Sequence, residues 1–161
     1  MKYRVVLDTN VLVSAIVFPG GVPEDVWKTV QSGEVEFGVS EAILDELYRV
    51  LGSKFHFNET ALALQKYLIL QNAKLIDPDI IIDSVVRDVN DKKILECAVE
   101  FKAHFIVTGD NHLLELKKFK GIMIVRPAVF LEILAGQTGG GIVREPISKY
   151  INKSAKKKNF R

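Results

Sequence analysis

The sequence contains a single cysteine, Cys97, in 161 residues. One cysteine excludes a disulfide within the chain, which is typical of proteins from a reducing compartment. No apolar run approaches the roughly 20 residues that a membrane-spanning helix needs. The apolar stretch Val5–Val17 is interrupted by Asp8 and Asn10 and is not followed by a small-residue cleavage site, so it does not resemble a signal peptide. We therefore expect a cytoplasmic protein with no membrane segment.

Net charge is also low, at +2, but it is unevenly distributed. Residues 146–161 contain six Lys or Arg and no acid, whereas the other 145 residues carry 16 basic and 20 acidic side chains, or −4. A basic segment on an acidic body suits a polyanionic partner, although a solvated terminus would look the same. The side chains expected to contact phosphates are Lys153, Lys156, Lys157, Lys158 and Arg161.

Short apolar runs alternate with helical patterns along the chain. The runs predicted as strands are Tyr3–Leu7, Val35–Val39, Phe105–Thr108 and Ile122–Val125. Helices are predicted at Asn10–Ile16, from about Glu24 to Gln31, after Ser40, after Asn58, from about Asn90, at Asn111–Lys117 and from Pro127. This alternation predicts an α/β fold, a three-layer α/β/α sandwich with a central parallel sheet.

Two acids follow strands of this predicted sheet. Asp8 comes directly after the first strand, and Asp110 follows the Phe105–Thr108 strand after one glycine. Open parallel sheets bind their ligands outside the carboxyl ends of the strands. Both acids are therefore expected at the edge of the sheet where a ligand would bind.

Helical periodicity selects two further acids. In the helix after Ser40, Glu46 borders the apolar face, whereas Glu41 and Asp45 point away from it. In the helix from about Asn90, Asp91 falls within the apolar stripe, whereas Glu96 and Glu100 are expected to face outward.

Each of these acids has an ordinary structural explanation as well. Asp8 could cap a helix, and Asp91 could be a first-turn acid that the helix dipole stabilises. Asp110 could belong to a turn, and Glu46 could lie at the border of the apolar face with its carboxylate in solvent. Four carboxylates brought together would repel one another unless a cation neutralised them. An all-oxygen cluster suits a hard divalent ion such as Mg²⁺ or Mn²⁺.

Four blocks of the sequence resemble the PIN-domain family, and in particular the VapC-like toxins of prokaryotic toxin–antitoxin pairs. They are "VVLDTNVLVSAI", "VSEAILDELYRVL", "DVNDKKILECAVEFKAHFIVTGD" and "HLLEL". The resemblance implies a Mg²⁺- or Mn²⁺-dependent ribonuclease whose catalytic and metal-binding residues are Asp8, Glu46, Asp91 and Asp110. It also implies supporting roles for Asn10 and Thr108. The implied partners are RNA, a small antitoxin protein and a second copy of the chain, as a homodimer or higher homo-oligomer.

The chain departs from the family pattern at two places. Many relatives carry a further acid two residues after the last one, where this chain has His112. The Gly-rich and then basic extension at 136–161 lies beyond the PIN-like domain expected at 1–135, so the resemblance implies no role for it.

Two other functions remain open from the sequence. One is a PIN-like scaffold that binds RNA or protein without cutting. The other is an aspartyl-phosphate phosphotransfer domain, which Asp8 and the Arg126–Pro127 pair would suit. The second fits less well for two reasons. Asn10 stands where a haloacid-dehalogenase-type enzyme needs another acid. A receiver domain requires an acidic pair after the first strand, and this chain has no such pair there.

Overall fold

The structure is a computed structural model that describes residues 1–82 and 88–138. Its strands are β1 (Arg4–Leu7), β2 (Glu36–Ser40), β3 (Ala73–Ile76), β4 (Phe105–Val107), β5 (Lys118–Phe119) and β6 (Ile122–Val125). Its helices are α1 (Thr9–Val17), α2 (Val22–Gln31), α3 (Glu41–Phe55), α4 (Glu59–Asn72), α5 (Val89–Phe101), α6 (Asn111–Leu116) and α7 (Pro127–Thr138).

The strands form one sheet in the order β3-β2-β1-β4-β6-β5. All neighbouring pairs are parallel except β5 with β6. Strand β1 therefore lies inside the sheet between β2 and β4, and its residues Val5, Val6 and Leu7 are at most 1% exposed. This arrangement confirms the predicted α/β fold with a central, mostly parallel sheet.

Local sequence explains where several helices begin. The Ser40 hydroxyl accepts a hydrogen bond from the Ile43 N–H at the start of α3, and the Asn58 carbonyl oxygen accepts one from the Ala61 N–H at the start of α4. These are the N-cap bonds that the two side chains favour. Helix α3 begins directly after Ser40, as predicted, and ends at Phe55, where the following residue, His56, adopts a left-handed conformation.

Strands β3 and β5 are absent from the sequence prediction. Strand β3 follows α4 without an intervening turn residue, and only Ile76 of its four residues is buried. Strand β5 has two residues and pairs antiparallel at the opposite edge. Neither gives the continuous apolar run that marks a buried parallel strand. No helix in 1–82 or 88–138 is long and apolar enough to cross a membrane.

Candidate active site

Asp8 and Thr108 meet at the carboxyl edge of the sheet. They directly follow β1 and β4, two neighbouring strands in which Leu7 pairs with Val107. The Thr108 hydroxyl donates a 2.7 Å hydrogen bond to Oδ2 of Asp8, and both side chains are buried. Asp8 occupies the N-cap position of α1, yet its side chain makes no capping hydrogen bond. The hydrogen bond from Thr108, rather than a helix cap, is therefore the main polar contact of this buried carboxylate.

Asp110 is placed by the same threonine. Its backbone N–H donates a 3.0 Å hydrogen bond to Oγ1 of Thr108, which joins the Asp8 and Asp110 loops. The Asp110 side chain also caps α6, because its Oδ1 accepts a 2.7 Å hydrogen bond from the His112 N–H. Asp110 therefore has an ordinary structural role, as a helix N-cap rather than the turn residue considered from the sequence, and this role leaves Oδ2 for other contacts.

Glu46 projects from α3 into the protein. Its side chain is 12% exposed, whereas its neighbour Asp45 is an exposed residue. Oε2 of Glu46 accepts a 2.9 Å hydrogen bond from the Thr9 hydroxyl and lies 3.3 Å from Nζ of Lys93. Because Thr9 directly follows Asp8, these contacts link α3 to the loop that carries the first acid.

Asp91 lies in the first turn of α5, and it is 5% exposed. The N-cap of this helix is Asp88, whose Oδ1 accepts a 2.8 Å hydrogen bond from the Asn90 N–H. Capping is therefore performed by the exposed acid, and the buried one is left without that role.

The acids influence one another's protonation. Burial raises the pKa of Asp8, the Thr108 hydrogen bond opposes that rise, and the charges of Asp110 and Glu46 add to it. The pKa of Asp91 is raised to about 6, chiefly by burial and also by the charges of Asp110, Asp88 and Asp8. The charges of the other predicted site acids thus disfavour the ionised forms of the two buried ones, Asp8 and Asp91.

The carboxylates do not close around a single point. Among the described residues, no three His, Cys, Asp or Glu side chains are arranged so that they could hold a metal ion. The donor chemistry nevertheless fits a hard divalent cation, because all four groups are carboxylates and a cation would oppose the rise in the pKa values of Asp8 and Asp91. One of the four carboxylates, Glu46, already has a cationic partner in Lys93.

Other predicted residues have mixed outcomes. The Asn10 side chain is exposed, while its backbone N–H lies near the Asp8 carboxylate and lowers its pKa. The outward orientation expected for Glu96 is wrong, because it is only partly exposed and its Oε1 accepts a hydrogen bond from the Ile82 N–H. The basic residues of the extension, Lys153, Lys156, Lys157, Lys158 and Arg161, lie outside the described residues.

Sequence reasoning missed Thr9 and Lys93. Lys93 follows Asp91 by two residues, a spacing that places side chains on different faces of a helix. Its contact with Glu46, 47 positions earlier, arises only from the packing of α5 near α3. The available signal in the sequence is a lysine beside the apolar stripe of the helix that carries Asp91.

Comparisons with known proteins show the family and the fold of this chain. The family model for the PIN domain matches residues 4–112. MJ1680, an uncharacterized protein of Methanocaldococcus jannaschii, is 31% identical over 130 residues, which cover 73% of this chain and 77% of the relative. A chain in the crystal structure of VapBC2 from Rickettsia felis, bound to a DNA fragment from their promoter, superimposes with a TM-score of 0.55. That likeness covers 76% of this chain and 98% of the other at 16% identity, and it supports the fold alone.

Proposed function

The chain belongs to the PIN-domain family, and we propose that it is a Mg²⁺- or Mn²⁺-dependent ribonuclease that hydrolyses phosphodiester bonds of RNA. The observation that carries this proposal is the pair of buried carboxylates, Asp8 and Asp91, at the carboxyl edge of the sheet, with Asp110 and Glu46 beside them. Proteins rarely bury acids without a cation or a partner that compensates for the lost solvation.

The residues that would hold the cation are Asp8, Glu46, Asp91 and Asp110. A divalent ion bound there supplies a Lewis acid for a phosphate oxygen and makes water a better nucleophile. Thr108 holds one oxygen of Asp8 and the backbone of Asp110, so it fixes two of the four carboxylates relative to each other. The Thr9 hydroxyl holds one oxygen of Glu46 by a hydrogen bond. This chain's own contribution is therefore to position the oxygens.

The biological setting that we propose is a toxin acting with a small antitoxin protein. The protein partner is proposed by analogy with the Rickettsia felis neighbour, which belongs to a VapBC2 complex. Apolar side chains exposed on one side of α4, Leu64 at 54% and Tyr67 at 58%, support contact with a further protein or a second copy.

A non-catalytic PIN-like scaffold is the second candidate. What favours it is that, in the part of the chain that the structure describes, no three ligating side chains are placed to hold an ion. Such a scaffold would bind RNA or a protein without cutting it.

Cleavage of a single-stranded RNA in the presence of Mn²⁺ separates these candidates. We expect wild-type protein to cut the RNA and Asp91→Asn to lose the activity. Asp79→Asn, which removes an exposed acid, should keep it. Equal cutting by wild type and Asp91→Asn would contradict the proposed site, and binding without cutting by all three proteins would favour the scaffold.

A further inference from the structure

Lys93 forms an ion pair with Glu46, one of the four candidate site acids. Its Nζ lies 3.3 Å from Oε2 of Glu46, and the two side chains are only 18% and 12% exposed. The Thr9 hydroxyl donates to the same oxygen at 2.9 Å. One oxygen of Glu46 therefore has two donors, and the described residues provide no hydrogen bond to the other, Oε1.

This ion pair lies near a second site acid. The charge of Glu46 raises the pKa of the buried Asp8, so Glu46 and Asp8 share one region of negative potential. Within 1–82 and 88–138, Lys93 is the one Lys or Arg in an ion pair with any of the four acids. Fully exposed ion pairs contribute little to stability, but loss of one partner from a largely buried pair leaves the other charge uncompensated.

We infer that Lys93 is a resident counter-cation of the site, which neutralises Glu46 in the metal-free protein and lowers the affinity of the carboxylates for a divalent ion. This inference rests on the proposed function and adds a residue to it. The physical reason is that a fixed ammonium group and an incoming divalent cation occupy the same region of negative potential and repel each other.

Two consequences follow for a variant that lacks the charge. Lys93→Met should bind Mn²⁺ more tightly, by roughly threefold to tenfold, because the repulsion is removed. Its metal-free form should melt at a lower temperature, because Glu46 keeps only Thr9 as a partner for a largely buried carboxylate. Mn²⁺ should consequently raise its melting temperature more than that of the wild type. Lys93→Arg should stay close to wild type in both measurements.

Lys92→Met is the matched control. It removes the same charge from the adjacent position of α5, and no ion pair joins Lys92 to a site acid among the described residues. Lys93→Gln provides a second neutral variant, whose amide can still donate to Glu46, in case Lys93→Met does not fold.

The experiment is a calorimetric titration of each full-length protein with Mn²⁺ at pH 7, together with thermal melts with and without Mn²⁺. Tighter binding and a larger Mn²⁺-induced rise in melting temperature for Lys93→Met or Lys93→Gln, but not for Lys92→Met, support the inference. If wild type binds Mn²⁺ and the Lys93 variants bind it equally or more weakly, the inference is overturned while the proposed function stands. If wild type binds no Mn²⁺, both are overturned.

Discussion

Glu46 and Asp45 are adjacent acids with opposite surroundings. Glu46 is held by Thr9 and Lys93 inside the protein, whereas Asp45 is exposed on the same helix. We expect Glu46→Gln to reduce RNA cleavage by roughly a hundredfold or more, because an amide is a poor ligand for a cation that stabilises the transition state by several kcal/mol. Asp45→Asn should leave the rate nearly unchanged.

Initial cleavage rates of the two variants at saturating Mn²⁺ provide the measurement. Matching losses in both would show that the orientation of α3 does not decide which acid acts. Thermal melts of both variants would show whether a lost rate reflects a lost fold.

Asp91 makes the stability of the metal-free protein depend on pH. Its pKa is about 6 in the folded chain, whereas an unperturbed Asp has a pKa of 3.8. Between pH 3.8 and about 6, the folded state therefore binds more protons than the unfolded state. The free energy of unfolding should therefore fall as pH rises from about 4 to 6, contrary to the usual behaviour of paired carboxylates.

Melts in EDTA between pH 4.5 and 7 would reveal this fall, on the order of a few degrees. Asp91→Asn should remove much of it, because the amide does not titrate. A variant whose melting temperature changes with pH as much as that of wild type would mean that other groups set the dependence.

Sequence periodicity finds residues that share a face, and that is why it selects Glu46 and Asp91. It does not find Thr9 or Lys93, because their contacts with Glu46 join positions 37 and 47 residues apart. Such contacts depend on how α1, α3 and α5 pack, which a pattern within one helix does not encode.

At the scale of elements, α5 and β2 approach closely through Gly38. A Cβ atom built at this glycine would lie 2.6–2.9 Å from ring atoms of Phe101, the last residue of α5. We expect Gly38→Ala to destabilise the protein by about 1–3 kcal/mol, because overpacking forces the ring or the strand to move.

Gly52→Ala is the control for this prediction, and its effect should have the opposite sign. Gly52 lies within α3, and its added Cβ would meet only atoms at 3.8 Å or more. Alanine is favoured over glycine in a helix by up to about 1 kcal/mol. Chemical denaturation measures the free energy of unfolding of both variants. An unchanged free energy of unfolding for Gly38→Ala would show that α5 can move away from β2.

The element boundaries also show where sequence information is weak. Buried strands β1 and β4 are recognisable because every position must be apolar or nearly so. Strand β3 lies at the sheet edge with Lys74 and Leu75 exposed, so burial imposes no pattern on it.

For the whole molecule, the uneven charge leads to a prediction about the basic extension. If Lys153, Lys156, Lys157, Lys158 and Arg161 contact RNA phosphates, deletion of residues 153–161 should weaken RNA binding and reduce its salt dependence. Each lost contact to single-stranded RNA lowers the slope of log K against log salt by about 0.7. Cleavage at saturating RNA should persist, because the four acids lie within residues 8–110.

Binding titrations at several salt concentrations would decide the role of this segment. An unchanged slope after the deletion would contradict phosphate contacts by these side chains.

The dependence of RNA cleavage on a divalent cation is the most direct test of the proposed site. Wild-type protein stripped of metal with EDTA should not cut RNA, and addition of Mn²⁺ or Mg²⁺ in excess of the chelator should restore cutting. In the proposed mechanism, a cation held by Asp8, Glu46, Asp91 and Asp110 would both relieve the repulsion among the carboxylates and bind the phosphate. Full cleavage in the presence of the chelator would contradict a metal-dependent mechanism at these four residues.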